Sequence, residues 1–142
     1  RIDGWRAEMA AAGLPSEGLL AEGDFSAASG EAAARQLLAL PDRPTAIIAS
    51  NDQMSLATLG VARECGLDVP RDLSLISFDN TPIIRFTPPG LTAVDQPIAA
   101  TVSRAVELII AAQRGEPRPT APTVVHGSLI ERGSTAAPSA NG

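Results

Sequence analysis

Two polar residues, each placed directly behind an apolar β-type run, carry the ligand chemistry of this sequence. Asn51 follows Thr45-Ala46-Ile47-Ile48-Ala49-Ser50, and Asp79 follows Leu73-Ser74-Leu75-Ile76-Ser77-Phe78. If the two runs are neighbouring strands, their tips lie about 4.8 Å apart, so both side chains can reach one small molecule. An ionised Asp accepts hydroxyl hydrogens on both oxygens, and an Asn both donates and accepts, so the pair suits a ligand rich in hydroxyls. Each residue also has a plainer alternative. Asp79, ahead of Asn80-Thr81-Pro82, can be a turn former, and Asn51 can serve the backbone geometry of a strand end. Asp52 reads as the N-cap of the following helix rather than as a ligand group.

Catalytic patterns are missing by comparison. The sequence has no Gly-x-Ser-x-Gly elbow, no Gly-rich phosphate loop and no metal-spaced set of His or Cys. The lone His126 falls in a β-type run, where packing or exposure is the commoner role. The single cysteine, Cys65, allows no internal disulfide and is expected to be a small buried hydrophobe. The expectation is a binder and not an enzyme, with no catalytic residue, no metal and no cofactor.

The elements that must position these residues alternate. Trp5, Met9 and Ala12 follow helical spacing over residues 1 to 13, with Gly13 as the stop. Gly18 to Glu22 reads as a short strand, and Ser29 as the N-cap of a helix with Ala33, Ala34, Leu37 and Leu38 on one stripe. The run from Thr45 to Ser50 looks like a parallel strand covered on both faces. A helix from Asp52 to about Cys65 follows, with Met54, Ala57 and Val61 on one side and Leu56 and Leu59 on the other. After it come the strand at 73–78, a short strand or crossover at Leu91 to Val94, and a long helix from Ile98 to Arg114. Another strand is expected at Thr123 to His126, and Leu129 to Thr135 close the pattern. Such alternation predicts βαβ units and an α/β fold, a parallel sheet flanked by helices.

Bulk properties agree with that. At 142 residues and 44% apolar content the chain can bury a core, and a net charge of −5 offers no broad cationic face to nucleic-acid phosphates. No apolar run approaches the roughly 18 residues of a membrane helix, and no export signal opens the chain, so a cytoplasmic address with no membrane partner is expected. Arg1-Ile2-Asp3-Gly4-Trp5 runs into a helical pattern without an initiating Met, which reads as a fragment truncated at its amino terminus.

Several segments taken in order resemble one family. They are Gly23-Asp24-Phe25-Ser26 with Ser29-Gly30, Pro44 to Met54, and Gly66-Leu67-Asp68-Val69-Pro70-Arg71-Asp72-Leu73-Ser74. Ile76-Ser77-Phe78-Asp79-Asn80, Pro89 to Pro97 and Arg132-Gly133-Ser134-Thr135 complete the set. Their order and spacing, covering Arg1 to Thr135, are similar to the effector-binding region of the lactose-repressor (LacI/GalR) family of transcription regulators. The resemblance implies a periplasmic-binding-protein-like (type I) fold with two subdomains around a cleft. Residues 1–97 are then part of the carboxy-terminal subdomain, 98–125 return to the amino-terminal one, 126–135 cross back and 136–142 are a tail. It also implies a homodimer that reaches operator DNA only through a helix-turn-helix domain absent from this chain.

The family's pattern places effector contacts at Arg1, Asn51 and Asp79, an aromatic stacking position at Phe25 and a crossover contact at Gln96. Arg adds a rigid donor fork for vicinal oxygens, so the set matches a polyol ring, and the implied effector is a carbohydrate. Phe25 either packs its loop or stacks on that ring. Ser77 stands where the family usually has Gly, and Asn80 where a second Asp is common, so pocket shape and charge differ from better-known sugar binders. Purine-sensing members keep a nucleobase open as the ligand. A sugar-binding protein of a transport system, with the same architecture, is the alternative function. For the dimer surface the expectation is Leu56 and Leu59 with Ser26, Ile83 and Phe86; the alternative is that these leucines are buried within their own chain.

Overall fold

The computed structural model describes residues 1–117 and 119–138. Most of the tail expected over 136–142 therefore lies outside the described residues, as does position 118 in the Pro-rich loop. Helices α1 (Ile2–Ala11), α2 (Ala27–Leu38), α3 (Asp52–Glu64) and α4 (Ile98–Gln113) alternate with strands β1 (Ala46–Ile48), β2 (Ser74–Asp79), β3 (Thr92–Asp95) and β4 (Ser128–Ile130). The sheet order is β1-β2-β3-β4. The first three strands run parallel and β4 returns antiparallel to β3. This is the expected α/β fold, with one antiparallel strand on its edge.

The core lies between one face of the sheet and the α2–α3 pair. Leu75 of β2 and Ala93 of β3 are fully buried, together with Leu73, Ile84 and Leu91, while Leu37, Ile47 and Met54 close the same cluster. Removing a leucine of this size from water contributes about 1.5–3 kcal/mol. Helices α2 and α3 meet at Gly30, where an added Cβ stands 2.6 Å from the Cα of Met54. The missing side chain permits that approach. Gly30→Ala therefore forces the helices apart, and denaturant unfolding of the intact protein is expected to show a loss of about 1–3 kcal/mol. An unchanged unfolding midpoint contradicts this packing.

Several expectations need correction. β1 is not covered on both faces: Ile47 is buried but Ile48 is 52% exposed. The helices that pack tightly, α2 and α3, cover one side only, and α1 has no buried residue on the other. Gly18 to Glu22 forms no strand, since Gly18 takes a positive φ of 75° and β1 is the edge of the described sheet. Thr123 to His126 forms none either, as the only return strand among the described residues is β4.

Helix α2 begins three residues earlier than expected. Ser26, in an extended conformation, accepts from the Ser29 amide at 3.1 Å and is the N-cap, which leaves Ser29 inside the first turn. Cys65 is exposed, because it caps the carboxyl end of α3 where the chain turns at Gly66 (φ 73°). Leu59 is only 3% exposed, so it serves its own chain, while Leu56 is half-buried against the core. Ser26 is half-buried and occupied as a cap. Of the five residues expected on a dimer surface, Ile83 and Phe86 are the large side chains left outside, 60% and 72% exposed on the short tight helix Pro82–Phe86. Helix α4 has no buried residue although Ile98, Val102, Val106, Ile109 and Ile110 are all apolar.

Candidate functional site

Parallel strands β2 and β3 end together at Asp79 and Asp95, while β1 stops earlier at Ile48, and the chain beyond each runs into polar residues. Ile48 pairs with Ile76, and that register carried three residues further sets Asn51 opposite Asp79. Asp79 in turn pairs with Asp95 at the tip of β3. Ligands on open parallel sheets sit beyond such carboxyl ends, where loops converge and helix amino termini point inwards.

Of the five residues expected to contact a ligand, Asn51 bonds Phe25 and Gln96 bonds Asp79, while Arg1 reaches the strand ends through other residues. Arg1 donates from Nη1 to the Ser50 carbonyl at 2.7 Å, and its guanidinium lies 4.4 Å from the centre of the Phe78 ring. It thus ties the tip of β1 to the last turn of β2 by a hydrogen bond and a cation–π contact. The Asn51 amide donates to the Phe25 carbonyl at 2.8 Å. Phe25 holds a positive φ of 69° and leaves its ring 55% exposed. Gln96 donates from Nε2 to Oδ1 of Asp79.

Asn51 has a second occupation. Its Oδ1 accepts from the Met54 amide at 2.8 Å, so Asn51, and not Asp52, caps α3. One amide hydrogen of Asn51 remains for a ligand, out of the two such a group offers. Asp52, freed from capping, is buried in the first turn of α3. It accepts from Ser77 Oγ at 2.5 Å, the Thr81 amide at 2.6 Å and Thr81 Oγ1 at 2.5 Å. Ser77 also receives Ser55 Oγ at 2.7 Å. The Ser77 side chain therefore faces α3 beneath the sheet, and its difference from the family's usual Gly acts on that buried contact.

The turn after β2 is conformationally costly. Asp79 and Asn80 are consecutive non-glycine residues at φ 91° and 59°. Such backbone persists only where the surroundings over-determine it, at about 1–3 kcal/mol per residue, and it concentrates at functional sites. Here the holding contacts are Gln96 on Asp79, Asp52 on Thr81, and a pair on Asn80: Nδ2 donates to Asp95 Oδ1 at 2.7 Å, and Oδ1 accepts Arg132 Nη2 at 2.7 Å.

Asp95, Asn80 and Arg132 were not among the expected contacts. Asp95 had a legible signal, since it ends an apolar run as Asp79 does. Arg132 lies 52 positions beyond Asn80 with nothing local to mark it. Nearby, Asp24 receives the Ser26 amide at 3.0 Å, and the Ser26 and Ser29 hydroxyls hold its carboxyl at about 2, below the ordinary 3.8. Among the described residues no group of three or more His, Cys, Asp and Glu could hold a metal ion, and no helix is long and apolar enough to cross a membrane.

Residues 1–135 match the model of the periplasmic binding protein-like domain family. The chain is 39% identical over 112 residues to the HTH-type transcriptional regulator MalR of Streptomyces coelicolor, which covers 79% of this chain and 32% of the relative. It thus spans about a third of the length of that curated relative. Among solved structures, a transcriptional regulator CelR–cellobiose complex superposes with a TM-score of 0.86 at 33% identity, covering 94% of this chain and 41% of the other. A LacI-family sugar-binding transcriptional regulator from Escherichia coli, complexed with phosphate, gives 0.88 at 31% identity, covering 97% and 50%.

Proposed function

This chain belongs to the periplasmic-binding-protein-like domains of the LacI/GalR family of transcription regulators, and from that premise we propose that it forms one wall of an effector site that senses a carbohydrate. The observation that carries the reading is the pair of register-matched carboxylates, Asp79 and Asp95, at the tips of β2 and β3, with the Asn51 amide just past β1 at the start of α3. Arg1, Asn51, Asp79 and Gln96 are the polar contacts, and the exposed Phe25 ring stacks on an apolar sugar face. The cellobiose held by the CelR neighbour supports a saccharide over a nucleobase. Regulators among the relatives favour this role over transport, and favour binding over catalysis.

In the intact protein, residues 1–97 and 126–135 form this wall and 98–125 return to the opposite subdomain. The apolar, unburied α4 is what such a helix looks like without its partner. A homodimer is proposed through Ile83 and Phe86, with operator DNA contacted by a separate domain. A sugar then acts by binding one of two arrangements of the subdomains more tightly than the other.

The test is a thermal-shift screen on the intact protein with cellobiose, other mono- and disaccharides and nucleobases, followed by operator binding with and without the best ligand. A saccharide should raise the melting temperature and change DNA affinity. Stabilisation by nucleobases alone, or by no ligand, contradicts the reading.

A further inference from the structure

At the far edge of the site, a cation that touches no expected ligand contact is linked through one side-chain amide to a carboxylate that was not assigned. The Arg132 guanidinium, just beyond β4, divides its donors between the Leu91 carbonyl at 2.6 Å and Asn80 Oδ1 at 2.7 Å. An amide whose oxygen is taken by a cation must present its nitrogen the other way, and Asn80 Nδ2 meets Asp95 Oδ1 at 2.7 Å. Asp95 is the register partner of Asp79, whose own Oδ1 takes Gln96 Nε2. The two carboxylates are thus each clamped on one oxygen by an amide. Among the described residues, no donor reaches Oδ2 of either.

We infer that Arg132 is a positioning residue for ligand binding. Through the Asn80 amide it orients Asp95, so that Asp79 and Asp95 present two free oxygens side by side as a paired acceptor for vicinal hydroxyls. This deepens the carbohydrate reading and rests on it for the ligand. An Asp at position 80 could not make the link, because a carboxylate has no hydrogen to donate to Asp95. Asn80 is therefore the residue that makes Asp95 usable in this chain.

The test uses the intact protein and two readouts. The first is calorimetric titration with cellobiose, or with the saccharide of largest thermal shift if cellobiose is silent. Arg132→Met and Asn80→Ala should each weaken binding about tenfold, as expected for one charge-assisted link, and the double variant should lose no more than either alone. Independent structural damage instead multiplies the two losses, and that result overturns the inference. Asn80→Asp, which keeps an acceptor for Arg132, serves if Arg132→Met does not fold; it too should lose about tenfold, and full affinity overturns the inference. The second readout needs no ligand. The Asn80 side-chain amide protons, resolved by NMR and protected from exchange in the parent, should lose protection and shift in Arg132→Met. Unchanged Asn80 resonances refute the positioning role whether or not any saccharide binds. A parent protein that binds no saccharide refutes the carbohydrate reading alone.

Discussion

Asp79→Ala in the intact protein is expected to weaken saccharide binding by tenfold or more while leaving the fold in place. Charge-assisted hydrogen bonds to a carboxylate are worth about 1.5–3 kcal/mol each, and about 1.4 kcal/mol is a factor of ten in affinity. The variant also releases Gln96 from its bond to Asp79 Oδ1, so a second polar group loses its orientation. Stability should fall only modestly. Asp79 is half-buried at φ 91°, a region that Asp visits more readily than Ala, and the Gln96 bond that helps to hold the turn is lost, but the core contacts of β2 come from Leu75 and Ser77 and stay in place. Calorimetry and thermal melting on the same samples separate the two effects. Unchanged affinity, or a loss of affinity that tracks a collapse in melting temperature, contradicts the assignment.

Asp52→Ala is expected to do the reverse, with a large drop in stability and no ligand hydrogen bond removed. As an N-cap, Asp52 would contribute about 1 kcal/mol. As a buried acceptor of three hydrogen bonds it contributes more, since its removal leaves the buried Ser77 hydroxyl without its acceptor and frees the Thr81 amide and hydroxyl that hold the turn after β2. An unsatisfied buried polar group costs about 1–3 kcal/mol, so a total near 3 kcal/mol is expected in denaturant unfolding. Asp52→Asn should recover only part of it, because one of its two positions then carries hydrogens facing the Ser77 or Thr81 donors. A loss of about 1 kcal/mol for Asp52→Ala, fully restored by Asn, assigns Asp52 to capping instead.

Periodic apolar runs made the β1–α3–β2 unit legible, because each strand and helix there buries one face of its pattern against the others within this chain. Where no partner for the pattern is present, the same signal misleads in a consistent way. Ile48 and the residues of α4 carry apolar side chains for surfaces that none of the described residues covers. Thr123 to His126 has strand composition but, among the described residues, no neighbouring strand to complete its hydrogen bonds, and composition alone does not make a strand. Leu59 misled for the opposite reason. A helix apolar on two sides needs two neighbours, and α2 supplied the second from the same chain.

At the site, spacing located the strand tips but not the bonds between them. Asn51 and Asp52 are adjacent carbonyl-bearing residues at one helix start, and sequence does not say which of them caps; the extended backbone of Asn51 decides it. The Ser26 and Ser29 pair poses the same ambiguity with the same resolution in favour of the earlier residue. Asp95 carried the same strand-end signal as Asp79 and could have been read. Arg132 could not, because its bond to Asn80 depends on how β4 folds back along β3.

The most direct measurement is a crystal structure of the intact protein with the saccharide that stabilises it. Ligand hydroxyls should lie within about 3 Å of the free carboxylate oxygens of Asp79 and Asp95, with the Phe25 ring against a sugar face. A saccharide bound elsewhere, with the β2 and β3 tips bare of it, contradicts the account.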